Sequence, residues 1–240
     1  MIILITGGSS GLGRSIVEEL SKNKENFVFF TFNNSEENAK KICERNINVR
    51  GIKCDFTIKN ELDNFIDNIK TLKIDVLINN YYSWPENPSL PGTFLEGHFH
   101  KIDKNTFIEE FKKNVIPTVS ITQETIKFFR SRKKGKILTT LTSFIASPSI
   151  GSSIYVSNKN YLKSLCEVWG LENKRYNITS HYFSPSFMIT GHTSKMDKRL
   201  IDQMIKASGL NEIMTVDHVS NKISKFLSTD DHDNSFQILL

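Results

Sequence analysis

The residues of this sequence best suited to chemistry are Tyr155 and Lys159, in the stretch SSIYVSNKNYLK at 152–163. Tyr and Lys four apart share one face of a helix, so a phenol and an ammonium can occupy one small space. A free tyrosine has a pKa of about 10, too high for ready acid–base work at neutral pH. A cation about 4 Å away contributes a few kcal/mol at an effective dielectric near 20, which would lower that value by about 2–3 units. The pair is thus a candidate proton donor with its activator. In a lysine-rich chain the spacing alone carries little, and its meaning depends on what else the sequence supplies.

A second site of chemistry lies at the amino end. TGGSSGLG, residues 6–13, follows an apolar run and opens an amphipathic stretch. Gly7, Gly11 and Gly13 allow a tight turn, close approach of backbone to a pyrophosphate, and close helix–strand packing. The amino end of the helix adds free N–H groups and a positive dipole for phosphates. No Lys-Ser/Thr follows the glycines, which excludes a Walker-type loop. About twenty residues on, Asn33 stands where a site for NAD often carries a carboxylate. Nothing there repels a 2′-phosphate, and Asn33, Asn34 and Ser35 can donate to one. A basic residue just before Gly11 would favour NADP most directly, but Ser10 holds that place. The balance favours NADPH, with NADH as the alternative.

Strands are expected at Ile2–Thr6, Phe27–Phe32, Val49–Cys54, Asp75–Asn79, Lys136–Leu141, Asn177–Phe183 and Ser235–Leu239, with helices near 11–22, 35–45, 59–70, 104–131, 152–174 and 216–227. This alternation implies an α/β protein: a single Rossmann-type domain over 1–240, with a doubly wound parallel sheet of about seven strands and helices on both faces. Two segments break the rhythm, 81–103 and 184–215. Both begin at expected carboxyl ends of strands, where ligands sit in such sheets, and both are expected to be substrate loops.

With 38% hydrophobic and 24% charged residues, the 240-residue chain suits a globular protein. Its formal charge of +5 reads as a lysine-rich surface rather than a nucleic-acid site, since the only dense basic run is 130–134. Cys43, Cys54 and Cys166 show no metal spacing and read as reduced thiols. The chain opens directly on MIILITGG, with no leader or bilayer-spanning run, so a cytoplasmic location away from membranes is expected. His98 and His100 read as solvent- or substrate-facing, DDHD at 230–233 as a polar turn, and Trp169 and Phe128–Phe129 as core or subunit contacts. No metal site is expected.

These motifs, in this order, resemble the short-chain dehydrogenase/reductase family over essentially the whole chain. TGGSSGLG matches the family's TGxxxGxG turn, which assigns Gly7, Ser9, Ser10, Gly11, Leu12 and Gly13 to the cofactor. Asn33 and Phe56 join the cofactor set, and Asp55 matches an adenine-contacting acidic residue. INN, ending at Asn80, begins the NNAG motif, and PSFMIT, with Pro185, Met188 and Thr190, matches the segment that closes over a nicotinamide. The resemblance implies a catalytic set of Ser143, Tyr155, Lys159 and Asn114. Ser143 would bond the substrate oxygen, with Thr142 beside it as an alternative hydroxyl. Tyr155 would give a proton as hydride arrives at carbon, and Asn114 would hold a water linking Lys159 to solvent.

Three departures stand out. NNYY replaces NNAG, so Tyr81 and Tyr82 occupy places where small residues leave room beside the cofactor. Ser186 replaces the Gly of a Pro-Gly pair. FQILL ends without the usual Gly-rich tail, which weakens one tetramer interface and leaves a dimer through the helices near 104–131 and 152–174. The most similar branch is the 3-oxoacyl-(acyl carrier protein) reductase type, implying a ketone–alcohol interconversion on a 3-oxoacyl thioester. Lys133, Lys134, Lys174 and Arg175 would dock an acidic carrier protein, and Trp84, Phe94 and Phe99 would form an aromatic lid. Two alternatives stay open: reduction of a free small-molecule ketone, sugar or aromatic, and a catalytically idle nucleotide-binding sensor or assembly subunit.

Overall fold

In the computed structural model, described over residues 1–84, 96–190, 193, 196–199, 201–202, 214–229 and 237–238, apolar runs rich in branched and aromatic residues form strands. In chain order the elements are β1 (Ile2–Ile5), α1 (Gly11–Ser21), β2 (Phe27–Phe32), α2 (Glu36–Arg45), β3 (Val49–Lys53), α3 (Lys59–Asn68) and β4 (Val76–Asn79). There follow α4 (Lys104–Asn114), α5 (Ile116–Arg132), β5 (Gly135–Thr140), α6 (Ser153–Asn173), β6 (Ile178–Phe183), α7 (Val216–Ser228) and β7 (Gln237–Ile238). The seven strands are all parallel, in the order β3-β2-β1-β4-β5-β6-β7, with Ile5 level with both Phe30 and Ile78.

Side chains alternate across each strand, so both faces of the sheet are apolar. Ile3, Ile5, Ile78 and Leu138 pack with Ile16, Val17 and Leu20 of α1 and Val219 and Ile223 of α7. Leu4, Leu77 and Ile137 point the other way, onto Leu62 and Phe65 of α3 and Ile121 and Phe129 of α5. A third cluster joins Leu162, Cys166 and Trp169 of α6 to Leu141 and Tyr182. Trp169 and Phe129 are therefore core. The chain crosses from β3 over β1 to β4, and that reversal opens a crevice at the carboxyl ends of β1 and β4.

The helix expected over 104–131 is two helices. Pro117 brings no N–H, so the Lys113 carbonyl has no helical donor, and the chain turns at Val115 between α4 and α5. Of the expected last strand, Gln237 and Ile238 pair with Tyr182 and Phe183. Phe94, DDHD at 230–233 and much of the segments 81–103 and 184–215 lie outside the described residues. Among the described residues no helix is long and apolar enough to cross a membrane.

Candidate active site

The crevice is one cavity of about 660 Å³, running from the glycine turn and the ends of β2 and β3 to Tyr155 and Lys159. The turn is built by close approach. Gly7 has φ +69°, which side chains disfavour, and a Cβ on Gly13 would lie 2.1 Å from the Gly7 carbonyl oxygen. Gly7 N–H donates to Thr31 Oγ1 at 3.0 Å, tying the turn to β2. The first turn of α1 carries no acidic side chain to compete for its N–H groups. A turn with this backbone room fits a pyrophosphate, so the residues present suit a dinucleotide. All of the residues assigned to the cofactor line the cavity: Gly7, Ser9, Ser10, Gly11, Leu12, Gly13, Asn33, Asp55, Phe56, Asn80, Pro185, Met188 and Thr190, with Tyr155 and Lys159.

At the far end of β2, Asn33 is held by its neighbour, donating through Nδ2 to Asp55 Oδ2 at 2.8 Å. Partial burial works to raise the Asp55 carboxyl. Hydrogen bonds from Thr57 and Asn33, with the charge of Lys113, outweigh it and hold the group below the usual carboxylate range.

Helix α6 carries the pair at the other end. Tyr155 is 7% exposed and Lys159 3%. Lys159 Nζ donates to the Thr140 carbonyl oxygen at 2.9 Å, and the Tyr155 hydroxyl is hydrogen-bonded with Thr142. Burial pushes Tyr155 up to about 12, opposed by Thr142, and pushes Lys159 down to about 7. The sequence predicted a phenol lowered by its lysine, and the structure reverses that. The same dry surroundings weaken the charged form of Lys159, which sits 6.0 Å from the Tyr155 ring centroid.

Tyr82 of the NNYY departure contributes to this dryness. Tyr81 and Tyr82 diverge. Tyr81 packs edge-on against Phe56 at 5.0 Å, within the cluster below the sheet's edge. Tyr82 meets Tyr155 edge-on at 5.1 Å, and Trp84 packs tilted against both rings at 5.1 Å. Phe144, Phe187 and Met196 complete this apolar wall. Phe99 lies apart, exposed and against Phe107.

Two of the four expected catalytic residues are set back from the cavity. Asn114 is fully buried: its Oδ1 accepts the Ser83 N–H at 2.7 Å and its Nδ2 donates to Glu110 at 2.9 Å. Its side chain thus braces the 81–84 segment that presents Tyr82. Ser143 is absent from the described lining while Thr142 is present in it. Its N–H donates to the Pro185 carbonyl at 3.0 Å.

Glu96 went unnoticed in the sequence. Its two carboxylate oxygens accept the N–H groups of Ile154 and Tyr155 at 2.8 and 2.7 Å, capping α6, while its own N–H donates to Gly151. Burial raises its pKa, opposed by those two hydrogen bonds. The signal was out of reach because the cap comes from a distant loop, whereas the local N-cap residue Ser152 makes no side-chain cap bond.

The expected carrier-docking residues lie elsewhere. Lys133 and Lys134 precede β5, and Lys174 and Arg175 precede β6, at the amino ends of the strands. The cavity is at the carboxyl ends, roughly 20 Å along a six-residue strand. Arg130 and Arg175 each stack on Tyr176, at 4.9 Å from its ring centroid.

Comparison with known proteins adds three findings. The family profile described as short chain dehydrogenase matches residues 1–200. Among curated proteins, the chain is 25% identical to a 3-oxoacyl-(acyl-carrier-protein) reductase of Buchnera aphidicola, over 96% of this chain and 90% of that protein. It is 28% identical to the very-long-chain 3-oxoacyl-CoA reductase of Rattus norvegicus, covering 83% of this chain and 63% of the rat protein, so it spans less than two thirds of that relative. Among solved structures, a short chain dehydrogenase from Burkholderia cenocepacia in complex with NADP matches with a TM-score of 0.80, at 17% identity, over 98% of this chain and 93% of that one. This last likeness speaks to the fold alone.

Proposed function

The chain belongs to the short-chain dehydrogenase family and is an oxidoreductase of that family's 3-oxoacyl reductase-like branch; from that premise we propose that it reduces a ketone to a secondary alcohol with NADPH, the ketone being a 3-oxoacyl thioester. The observation that carries this reading is the single cavity joining the glycine turn to the buried Tyr155–Lys159 pair. Relatives named as 3-oxoacyl reductases support the thioester, and two structural neighbours described as complexes with NADP or NADPH support the cofactor.

When bound, reduced nicotinamide supplies a hydride to the carbonyl carbon. Tyr155, protonated at neutral pH with its pKa pushed to about 12, gives its proton to the carbonyl oxygen. A hydroxyl of the Thr142–Ser143 segment holds that oxygen. Lys159, near its own midpoint at about 7, stabilises the Tyr155 phenolate through its ammonium form in the dry pocket. Tyr82 and Trp84 exclude water. Asn114 acts through the Ser83 N–H to keep the Tyr82 segment in place. Pro185, Met188 and Thr190 line the cavity, with Thr190 against Gly11 of the glycine turn.

A second substrate reading, a free aromatic or alicyclic ketone, is favoured by the wall of Tyr82, Trp84, Phe144 and Phe187. The basic residues lie at the amino ends of the strands, the opposite end of the sheet from this wall, so a carrier docked there on the same protomer would not face the cavity. Exposed Ile108, Ile116, Tyr161, Val168 and Leu171 on α4, α5 and α6 fit a second copy of the chain, giving a homodimer that sedimentation would detect.

The test is a fluorescence titration with NADPH and NADH, followed by 3-oxoacyl-CoA and carrier-bound substrates while nicotinamide absorbance is watched. NADPH binding with decay that Tyr155→Phe abolishes is the expected result. Binding without decay over a broad ketone panel would replace the reductase by a nucleotide sensor.

A further inference from the structure

We propose that Glu110 is a positioning residue: its carboxylate fixes which way the Asn114 side-chain amide faces, and through that amide it sets the place of Tyr82 beside Tyr155 and Lys159. The inference rests on the ketone-reductase reading for its kinetic consequence, while the placement itself is judged without turnover.

Helix geometry brings the two residues together. Glu110 and Asn114 are four apart on α4, so their side chains share one face. Asn114 is fully buried, and the Glu110 side chain is only 15% exposed. Asn114 Nδ2 donates to Glu110 Oε2 at 2.9 Å, while Asn114 Oδ1 accepts the Ser83 N–H at 2.7 Å. An ionised carboxylate only accepts, and a backbone N–H only donates. One orientation of the amide therefore satisfies both neighbours. The flipped one would set donor against donor at Ser83 and acceptor against acceptor at Glu110. Glu110 Oε1 faces the Lys113 ammonium at 3.8 Å, so both of its oxygens are engaged.

The amide acts on the reacting end through the chain that leaves β4, which is tied twice. Thr6 Oγ1 accepts the N–H groups of Asn80 and Tyr81 at 3.0 and 3.1 Å, and Asn114 takes that of Ser83. Tyr82 is the residue between the two ties. Its ring lies 4.9 Å from the Lys159 ammonium and 5.1 Å from the Tyr155 ring, and its hydroxyl is hydrogen-bonded with Asn158. Losing the Ser83 tie would free one end of this span and loosen the ring that shields Lys159. The charge of Glu110 acts on Tyr81, Tyr82 and Glu96. Among the described residues, the titratable groups that face Lys159 are Tyr82, Tyr155 and Cys166. Glu110 thus reaches Lys159 by placing a ring rather than by its own field.

Carbon NMR of protein labelled at lysine Cε tests the placement, with the Lys159 resonance identified by its loss in Lys159→Met. In wild type that resonance should titrate near pH 7. Glu110→Leu keeps the bulk and removes the acceptor, so water should enter and move the midpoint upward by roughly one pH unit or more. Glu110→Gln, whose carbonyl can still accept from Asn114, should stay near wild type. Both variants remove the same negative charge, and loss of a direct field would lower the midpoint in both. Glu110→Ser, too short to reach the amide, should behave as Glu110→Leu and replaces it should that variant fold poorly. In an Asn114→Ala background Glu110→Leu should add no further shift, because the path is already cut. A midpoint that stays or falls in Glu110→Leu and Glu110→Ser, or a full extra shift in the double variant, overturns the proposal. In ketone reduction Glu110→Leu should lower kcat by roughly tenfold, with Glu110→Gln restoring most of the rate. A wild-type protein inert toward every ketone would refute the reductase reading, while the lysine titration still decides on Glu110.

Discussion

The ammonium of Lys159 lies 4.9 Å from the ring centroid of Tyr82, over its face. The ring both attracts the cation and keeps water from it, and exclusion dominates, since burial is the leading cause of the depressed Lys159 pKa of about 7. Replacing Tyr82 by Ala should let water in and move the Lys159 limb of the pH–rate profile upward from about 7. A profile that stays in place would show that the ring does not set the pKa.

Lys159 also gives the free protein a pH-dependent stability. Its folded pKa of about 7 lies below the ordinary 10.5 of the unfolded chain. Below pH 7 both states are protonated and the burial penalty is full. Between about 7 and 10.5 only the unfolded state holds the proton, so stability rises with pH, by on the order of 5 kcal/mol at most. Lys159→Met lacks this gain. Chemical denaturation at pH 6 and pH 9.5 should show wild type gaining on the variant. Parallel pH curves would contradict it.

The Glu96 cap on α6 is a positioning contact. Glu96→Ala should cost about 1–2 kcal/mol of stability through two orphaned N–H groups, and should lower kcat more than it weakens NADPH binding. Glu96→Gln, which keeps one acceptor, should fall between. Equal melting temperatures for Ala and wild type would rule out the cap as a stabilising contact.

Asn33 offers a handle on the nucleotide. Asn33→Asp places a carboxylate beside Asp55, where a 2′-phosphate is expected, so the ratio of NADPH to NADH affinity should fall roughly 10- to 100-fold. An unchanged ratio would place the 2′-phosphate elsewhere.

At the glycine turn there is no space for a methyl group, because a Cβ on Gly13 meets the Gly7 carbonyl. Gly13→Ala should weaken NADPH binding roughly tenfold or more, corresponding to the 1–3 kcal/mol of an overpacked site. Unchanged affinity in a folded Gly13→Ala protein would argue against a dinucleotide in this turn.

Much of this molecule was legible from residue types alone. All seven strands were foreseen within a residue or two where described, because Ile, Val and Phe in short runs read as buried parallel strands. The glycine turn and the Tyr155–Lys159 face followed from spacing. Three features did not. The split between α4 and α5 comes from Pro117, a break that the long helical pattern over 104–131 masked. The raised phenol and depressed ammonium depend on how much water Tyr82 and Trp84 expel. That Thr142 and not Ser143 lines the cavity turns on where β5 stops being extended, and a boundary of one residue is below what local propensity can fix.

Tyr81 and Tyr82 are consecutive residues that serve opposite ends of one cavity, the first wedged against Phe56 and the second over Lys159. The consequence is one of evolvability. Position 81 is tied to the cluster with Phe56, while position 82 faces Tyr155 and Lys159. If the reductase reading holds, single-codon changes at 82 would vary the shape of the reacting end and the dryness around Lys159 together, so that substrate range and pH dependence drift as one while the glycine turn is left untouched.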